Sequence, residues 1–124
     1  ISFEKTKRDI AIMYKDEISY AFSNIIQNAI QHSKDKVSVI IFKNNQNLSI
    51  KISDDGNGFS RDILDKLGEP YITNTKNGMG LGIFIAKNLI ENLNGKIYFY
   101  NSLSGNAVVE ILFKGSILEK WIKN

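Results

Sequence analysis

The sequence predicts an α/β protein of the two-layer α+β sandwich type, with one mixed sheet of about five strands and about three helices packed on one face. Two observations predict this class. Short runs of alternating apolar residues, typical of strands, are interspersed with longer segments in which apolar residues recur every three or four positions. Hydrophobic residues occupy 43% of the 124 positions, enough for one core, so we expect a single domain over residues 1–124.

Five runs alternate in the manner of strands: residues 9–14, 36–43, 48–53, 96–100 and 107–113. The asparagine-rich residues 44–47 are predicted to be a hairpin loop, and residues 104–106 to be the turn between the last two strands.

Three segments are predicted to be helices: residues 16–33, 61–67 and 81–93. The first has an apolar side that consists of Ile18, Phe22, Ile25, Ala29 and Ile30. Gly95 is the predicted stop signal of the third helix. Residues 116–124, with Trp121, are predicted to form a short amphipathic helix.

Composition excludes several classes of function. The net charge is +3, but the basic residues are scattered and form no stripe with aromatics, so we expect no nucleic-acid partner. No apolar run approaches the ~20 residues of a membrane span, so we expect no direct membrane contact. Cysteine is absent, which excludes a thiolate metal site and fits the cytosol.

The first predicted helix carries amides on one side, at Asn24, Asn28 and Gln31. A solvated polar face is the plain alternative, but such faces usually consist of Lys and Glu, and Asn is a poor helix former. An amide oxygen suits Mg²⁺, so Asn28 is a candidate metal ligand and Asn24 a candidate helper. His32 is either an exposed helix residue, a contact to phosphates, or, with least support, a phosphoryl acceptor.

The acidic turn, residues 54–58 (DDGNG), directly follows a predicted strand. A plain turn is the alternative, because Asp-Gly and Asn-Gly are strong turn dipeptides. A carboxylate fixed at a strand end can accept the exocyclic N–H of adenine, and Asp54 is our candidate for that contact. Gly56 and Gly58 allow the backbone to approach a flat ring.

A glycine loop, residues 78–82, precedes the third helix; a flexible loop is the alternative. It lacks the Gly-Lys-Ser/Thr of a P-loop and the spacing of a dinucleotide turn. The free N–H groups at a helix start favour phosphate. The candidate phosphate-binding residues here are Gly78, Met79, Gly80, Leu81 and Gly82, with Thr73, Thr75 and Lys76 as further donors.

These three blocks, in this order, resemble the N, G1 and G2 boxes of the ATP-binding catalytic domain of sensor histidine kinases, within the gyrase–chaperone–kinase–MutL (GHKL) superfamily. Glu69-Pro70-Tyr71 is similar to the F box, and Gly105-Asn106-Ala107 stands where the family often has Gly-Gly-Ala. The segment around Pro70 also resembles the redox-responsive regulator kinases of proteobacteria. Many family members have Lys where this chain has Gln31, and the lid between Gly58 and Gly78 is short.

The resemblance implies the Bergerat ATP-binding fold, with ATP and Mg²⁺ as cofactors and Ile63 and Leu67 as possible walls of the adenine pocket. It implies transfer of the γ-phosphoryl group to a histidine on a separate dimerisation domain, since the phosphoacceptor segment is absent from this sequence. A response regulator downstream, a homodimeric parent kinase and a location in the cytoplasmic part of a membrane-anchored kinase are further implications.

Two alternatives stay open. An anti-sigma-factor-type serine kinase is a lone domain of this size, but Glu would be expected at position 24, where this chain has Asn. A non-catalytic nucleotide-binding module would bind ATP without transferring phosphate.

Overall fold

The computed structural model describes residues 16–44, 47–66 and 81–114, apart from the side chains of Asn44 and Leu81. The predicted strand at residues 9–14 and the predicted helix at residues 116–124 lie outside the described residues. The described elements are, in order, α1 (Asp16–His32), β1 (Val37–Asn44), β2 (Asn47–Asp54), α2 (Arg61–Leu64), α3 (Leu81–Asn92), β3 (Lys96–Asn101) and β4 (Ala107–Phe113).

The described strands form one sheet in the order β1-β2-β4-β3, and every neighbouring pair is antiparallel. The two-layer α/β class is therefore confirmed, with four antiparallel strands in the described residues. The fifth strand, and with it the mixed character that we predicted, depends on residues 9–14. Strand β4 lies between β2 and β3, so the last described strand joins the two hairpins.

One core lies between this sheet and the two long helices, which pack against each other and against the same face. Alternation along β2 directs Leu48, Ile50, Ile52 and Asp54 to that face. Each fully buried aliphatic side chain contributes about 1.5–3 kcal/mol. The row ends in a carboxylate, so the pleat that builds the core also fixes Asp54 at its edge. Among the described helices, none is both long and apolar enough to cross a membrane.

The apolar side of α1 differs from the prediction at one position. Ile18, Phe22 and Ile25 are buried as expected, and Ala29 continues their stripe. Ile30 was predicted on the same side but is 49% exposed, because each helical residue is turned about 100° from the one before it.

The ends of the two shorter helices also depend on local contacts. Ser60 caps α2 by accepting the N–H of Ile63, but this helix ends at Leu64 and not at residue 67 as predicted. At the end of α3, Asn94 takes the left-handed conformation (φ 64°). Gly95 is needed for space: a Cβ there would collide with the ring of Phe113. The helix ends within one residue of the predicted end, but Asn94 and not Gly95 takes the left-handed conformation.

Candidate functional site

The amide side of α1 meets the first turn of α3. Asn24 and Asn28 are both half-buried. A Cβ built on Gly82 would lie 3.8 Å from Cβ and Cγ of Asn24 and 3.9 Å from its Oδ1, so the glycine places the start of α3 beside this amide. The free N–H groups of a helix start carry a partial positive charge. An anion held there would therefore also contact the amide side of α1.

The acidic turn lies against the other end of α1. Asp54 is only 8% exposed, and its Oδ1 accepts the N–H of Gly56 at 2.8 Å. A Cβ at Gly56 would collide with the carbonyl oxygen of His32, so only glycine allows this approach. The turn therefore joins the buried carboxylate of β2 to the last turn of α1.

Two buried polar atoms on α1 have no hydrogen-bond partner within the part of the chain that the structure describes: Nδ2 of Asn24 and Nε2 of His32. Buried polar groups are nearly always paired, and an unpaired one costs about 1–3 kcal/mol. They lie eight residues apart on the same helix, between the start of α3 and the acidic turn. This arrangement fits a polar ligand that supplies hydrogen-bond partners along α1, such as a nucleoside triphosphate.

The remaining predicted residues divide into three groups. Ile63 is half-buried and packs against the core, and Gly58 takes a positive φ of 80°. Gln31 is exposed. The positions that lie outside the described residues are Leu67, Thr73, Thr75, Lys76, Gly78, Met79 and Gly80; for Leu81 the structure describes only its place at the start of α3.

Asp55 was not among the predicted site residues, yet it anchors the loop after α1. Its Oδ1 accepts the N–H of Lys34 at 2.7 Å, and both carboxylate oxygens accept the N–H of Asp35 at 3.1 Å. Its own N–H donates to the carbonyl of Lys36 at 3.2 Å. Desolvation alone would raise the pKa of Asp55, but the N–H groups of Asp35, Lys34 and Lys36 outweigh it and hold the pKa below its usual value.

The lowered pKa predicts a pH dependence. Asp55 stabilises the fold while it is ionised, above the pKa of about 3.9 in the unfolded chain, and this contribution is lost as the pH falls through the lower pKa of the folded state. We expect Asp55→Asn to lower the unfolding temperature at pH 7, with the deficit shrinking towards pH 3. Asp35→Asn, in the same loop, is the control, because Asp35 contributes only its N–H. A deficit that is constant from pH 7 to pH 3 would contradict the role.

Two further asparagines, also missed from the sequence, join the acidic turn to the hairpin turn, residues 102–106. Asn106 donates from Nδ2 to the carbonyl of Gly56 at 2.8 Å. Asn101 accepts the N–H of Phe59 at 2.8 Å and donates to its carbonyl at 2.9 Å. The sequence showed only that Asn101 precedes the hairpin turn and that Asn106 stands in the Gly105-Asn106-Ala107 segment, and no local pattern predicts a contact across 42 to 50 residues.

Comparison with known proteins gives consistent matches. The profile of the family described as "Histidine kinase-, DNA gyrase B-, and HSP90-like ATPase" matches residues 13–117. Sporulation kinase A of Bacillus subtilis is 31% identical over 86 residues, which cover 68% of this chain and 14% of that protein. Sporulation kinase B of the same organism is 32% identical over 112 residues, covering 86% and 26%. Sensor histidine kinase RegB of Cereibacter sphaeroides is 29% identical over 107 residues, covering 77% and 23%.

The chain thus spans about a quarter or less of the length of these relatives. Among solved structures, a mycobacterial sensor histidine kinase, MprB, superposes with a TM-score of 0.71 at 19% identity over 79% of this chain and 70% of its own. The catalytic domain of histidine kinase ThkA gives 0.70 at 22% identity over 80% and 66%. Full-length ShkA in complex with AMPPNP gives 0.67 at 18% identity over 80% and 21%. These likenesses confirm the predicted fold.

Proposed function

Because the chain belongs to the histidine kinase-, DNA gyrase B- and HSP90-like ATPase family, we propose that it binds Mg-ATP and transfers the γ-phosphoryl group to a histidine on a separate dimerisation domain. This proposal rests on one observation: three features that are far apart in the sequence lie next to each other in the structure. The amide side of α1, the first turn of α3 and the buried Asp54 are held together by the close approaches at Gly82 and Gly56.

Each feature suits one part of the nucleotide. Asp54 has one carboxylate oxygen engaged by Gly56, which leaves the other to accept the exocyclic N–H of adenine. The first N–H groups of α3 favour the phosphates, and the unpaired atoms of Asn24 and His32 offer further contacts along α1. Among the solved relatives, the ShkA structure contains AMPPNP, an ATP analogue, which supports a nucleotide here.

Asn28 is the proposed metal ligand through its amide oxygen. Mg²⁺ is bound in proteins through few side chains together with substrate phosphates, so a single neutral amide suffices on the protein side. When bound, the ion neutralises charge on the transferring phosphates. The described residues contain no cluster of three His, Cys, Asp or Glu, and the proposed site does not require one.

The chemistry expected of the residues is positioning and charge stabilisation. A ring nitrogen of the acceptor histidine attacks the γ-phosphorus, the bond to the β–γ bridging oxygen breaks, and ADP leaves with the electron pair. Asn24 has an amide where a hydrolytic member would need a carboxylate to activate water. We therefore propose that this site favours transfer over hydrolysis.

The partners follow from the same proposal. The acceptor histidine belongs to a dimerisation domain of the same kinase, which is a homodimer, and the phosphoryl group passes on to a response regulator. RegB is 29% identical, close to the values for the sporulation kinases, so membership of the redox-responsive subfamily remains a proposal. We propose a cytoplasmic location for this domain.

The test is labelling with ATP that carries a radioactive γ-phosphate. The chain is mixed with a separately expressed dimerisation domain of a related sensor kinase, and with the same domain in which the acceptor histidine is replaced by Gln. We expect Mg²⁺-dependent label on the first and none on the second. Binding of Mg-ATP in calorimetry without label on any supplied domain would favour a non-catalytic module. Label on a serine would favour a serine kinase.

A further inference from the structure

The acidic turn is braced by the hairpin turn on the side away from α1. Gly58 has a positive φ of 80°, and a Cβ there would collide with the carbonyl oxygen of Gly105 and lie 2.9 Å from Oδ1 of Asn101. The two turns are therefore in direct contact. Asn101 and Asn106 supply three hydrogen bonds across this contact, all partly buried.

One of these bonds reaches the backbone that orients Asp54, and the other two hold the residue directly after the acidic turn. The N–H of Gly56 donates to Asp54 Oδ1, while the carbonyl of the same glycine accepts from Asn106. Gly56 is thus fixed from both sides. Asn101 bonds to both the N–H and the carbonyl of Phe59. The ring of Phe59 packs edge-to-face on Phe99, with 6.4 Å between the ring centroids. The turn is therefore held at Gly56 and directly after Gly58 by side chains that lie outside it.

The side chain of Asn106 does more than the hairpin turn requires. Its backbone position needs no side chain for the turn itself, because Gly105 supplies the positive φ of 86°. The Asn106 side chain nevertheless crosses to the acidic turn, and its Oδ1 accepts from Ser104 at 3.0 Å, which orients the amide so that Nδ2 faces Gly56. A bond placed in this way stabilises one orientation of the Gly56 peptide.

We propose that Asn101 and Asn106 are positioning residues for the nucleotide base, acting through the acidic turn to hold the Asp54 carboxylate ready for adenine. The proposal rests on the proposed function. Preorganising the turn removes an ordering cost from binding, so the effect belongs to base affinity and not to phosphate contacts or the transfer step.

The main variant is Asn106→Ala, which removes the bond to Gly56 and the bond from Ser104; Leu103→Ala, fully exposed in the same turn, is the control. Calorimetry with Mg²⁺ well below the unfolding temperature is expected to give about tenfold weaker binding of both ATP and ADP for Asn106→Ala. In transfer assays the KM for ATP rises by the same factor while kcat at saturating ATP is unchanged. Asn101→Ala is expected to show the same pattern, more strongly.

A double-mutant cycle separates positioning from general stability. In the Asp54→Asn background, Asn106→Ala is expected to change ATP affinity less than about twofold, because the carboxylate that Asn106 positions is already absent. Additive effects, or ATP affinity of Asn106→Ala equal to that of Leu103→Ala, would overturn the inference and leave the proposed function intact. If Asn101→Ala does not fold, Asn106→Ala alone decides. Wild-type protein that binds neither ATP nor ADP would overturn both proposals.

Discussion

Replacement of Asp54 by Asn is expected to weaken ATP binding by about 100-fold while the protein stays folded. The amide oxygen of Asn can still accept the N–H of Gly56, which now bonds to Asp54 Oδ1 at 2.8 Å. The amide nitrogen then stands where the second carboxylate oxygen was, so a donor faces the donor of adenine. If the amide rotates, the conflict moves to Gly56.

The measurement is calorimetric titration of Asp54→Asn with Mg-ATP, together with its unfolding temperature. Asp55→Asn is the matched control: it removes the same charge one residue away, but from a side chain that holds residues 34 and 35. We expect near-normal ATP affinity for the control at temperatures where it is folded. Equal affinity of Asp54→Asn and wild type would refute the adenine role.

Replacement of Asn28 by Asp is expected to abolish Mg²⁺-dependent phosphoryl transfer, with a loss of more than about 100-fold. The side chain keeps its shape, but a negative charge enters a half-buried position beside the proposed triphosphate site. Like charges a few ångströms apart repel strongly where water is partly excluded. The neutral amide of Asn28 therefore avoids adding negative charge next to the proposed metal ion and phosphates.

Gln27→Glu is the matched control for this variant, since it adds the same charge at the preceding, exposed position of α1. We expect it to transfer phosphate at close to the wild-type rate. Circular dichroism and thermal unfolding of both proteins check that the helix is intact. Unchanged transfer by Asn28→Asp would remove the basis for the metal role.

Much of the fold was predictable because it follows local periodicity. The bounds of α1, α3 and the four described strands fall within one residue of the predicted ones, since apolar alternation and helical spacing coincide with burial there. The prediction for Ile30 was wrong because this residue lies at the edge of the apolar stripe of α1, where its hydrophobic character does not reveal whether it is buried. Asn94 and not Gly95 takes the left-handed conformation, and Gly95 instead makes room for the ring of Phe113, a contact that local sequence does not reveal.

The candidate site was predictable where polar blocks carry their own chemistry. Asn24 and His32 are polar residues on a predicted helix and Asp54 is a carboxylate at a predicted strand end, and the structure brings their segments together. Asp55 and Asn106 were missed because their importance lies in which backbone groups they reach. Such pairings are decided by strand order, which hydrophobic patterning does not specify.

The position of β4 between β2 and β3 has a consequence for how the protein is made. During translation, β1 and β2 leave the ribosome about 50 residues before β4, so the inner edge of β2 waits unpaired while the middle of the chain is still being synthesised. Only when β4 emerges can that edge be covered and the brace over the acidic turn form. The proposed nucleotide site is thus completed late in biosynthesis, and we expect nascent chains that stall before residue 107 to expose the unpaired edge of β2 to chaperones.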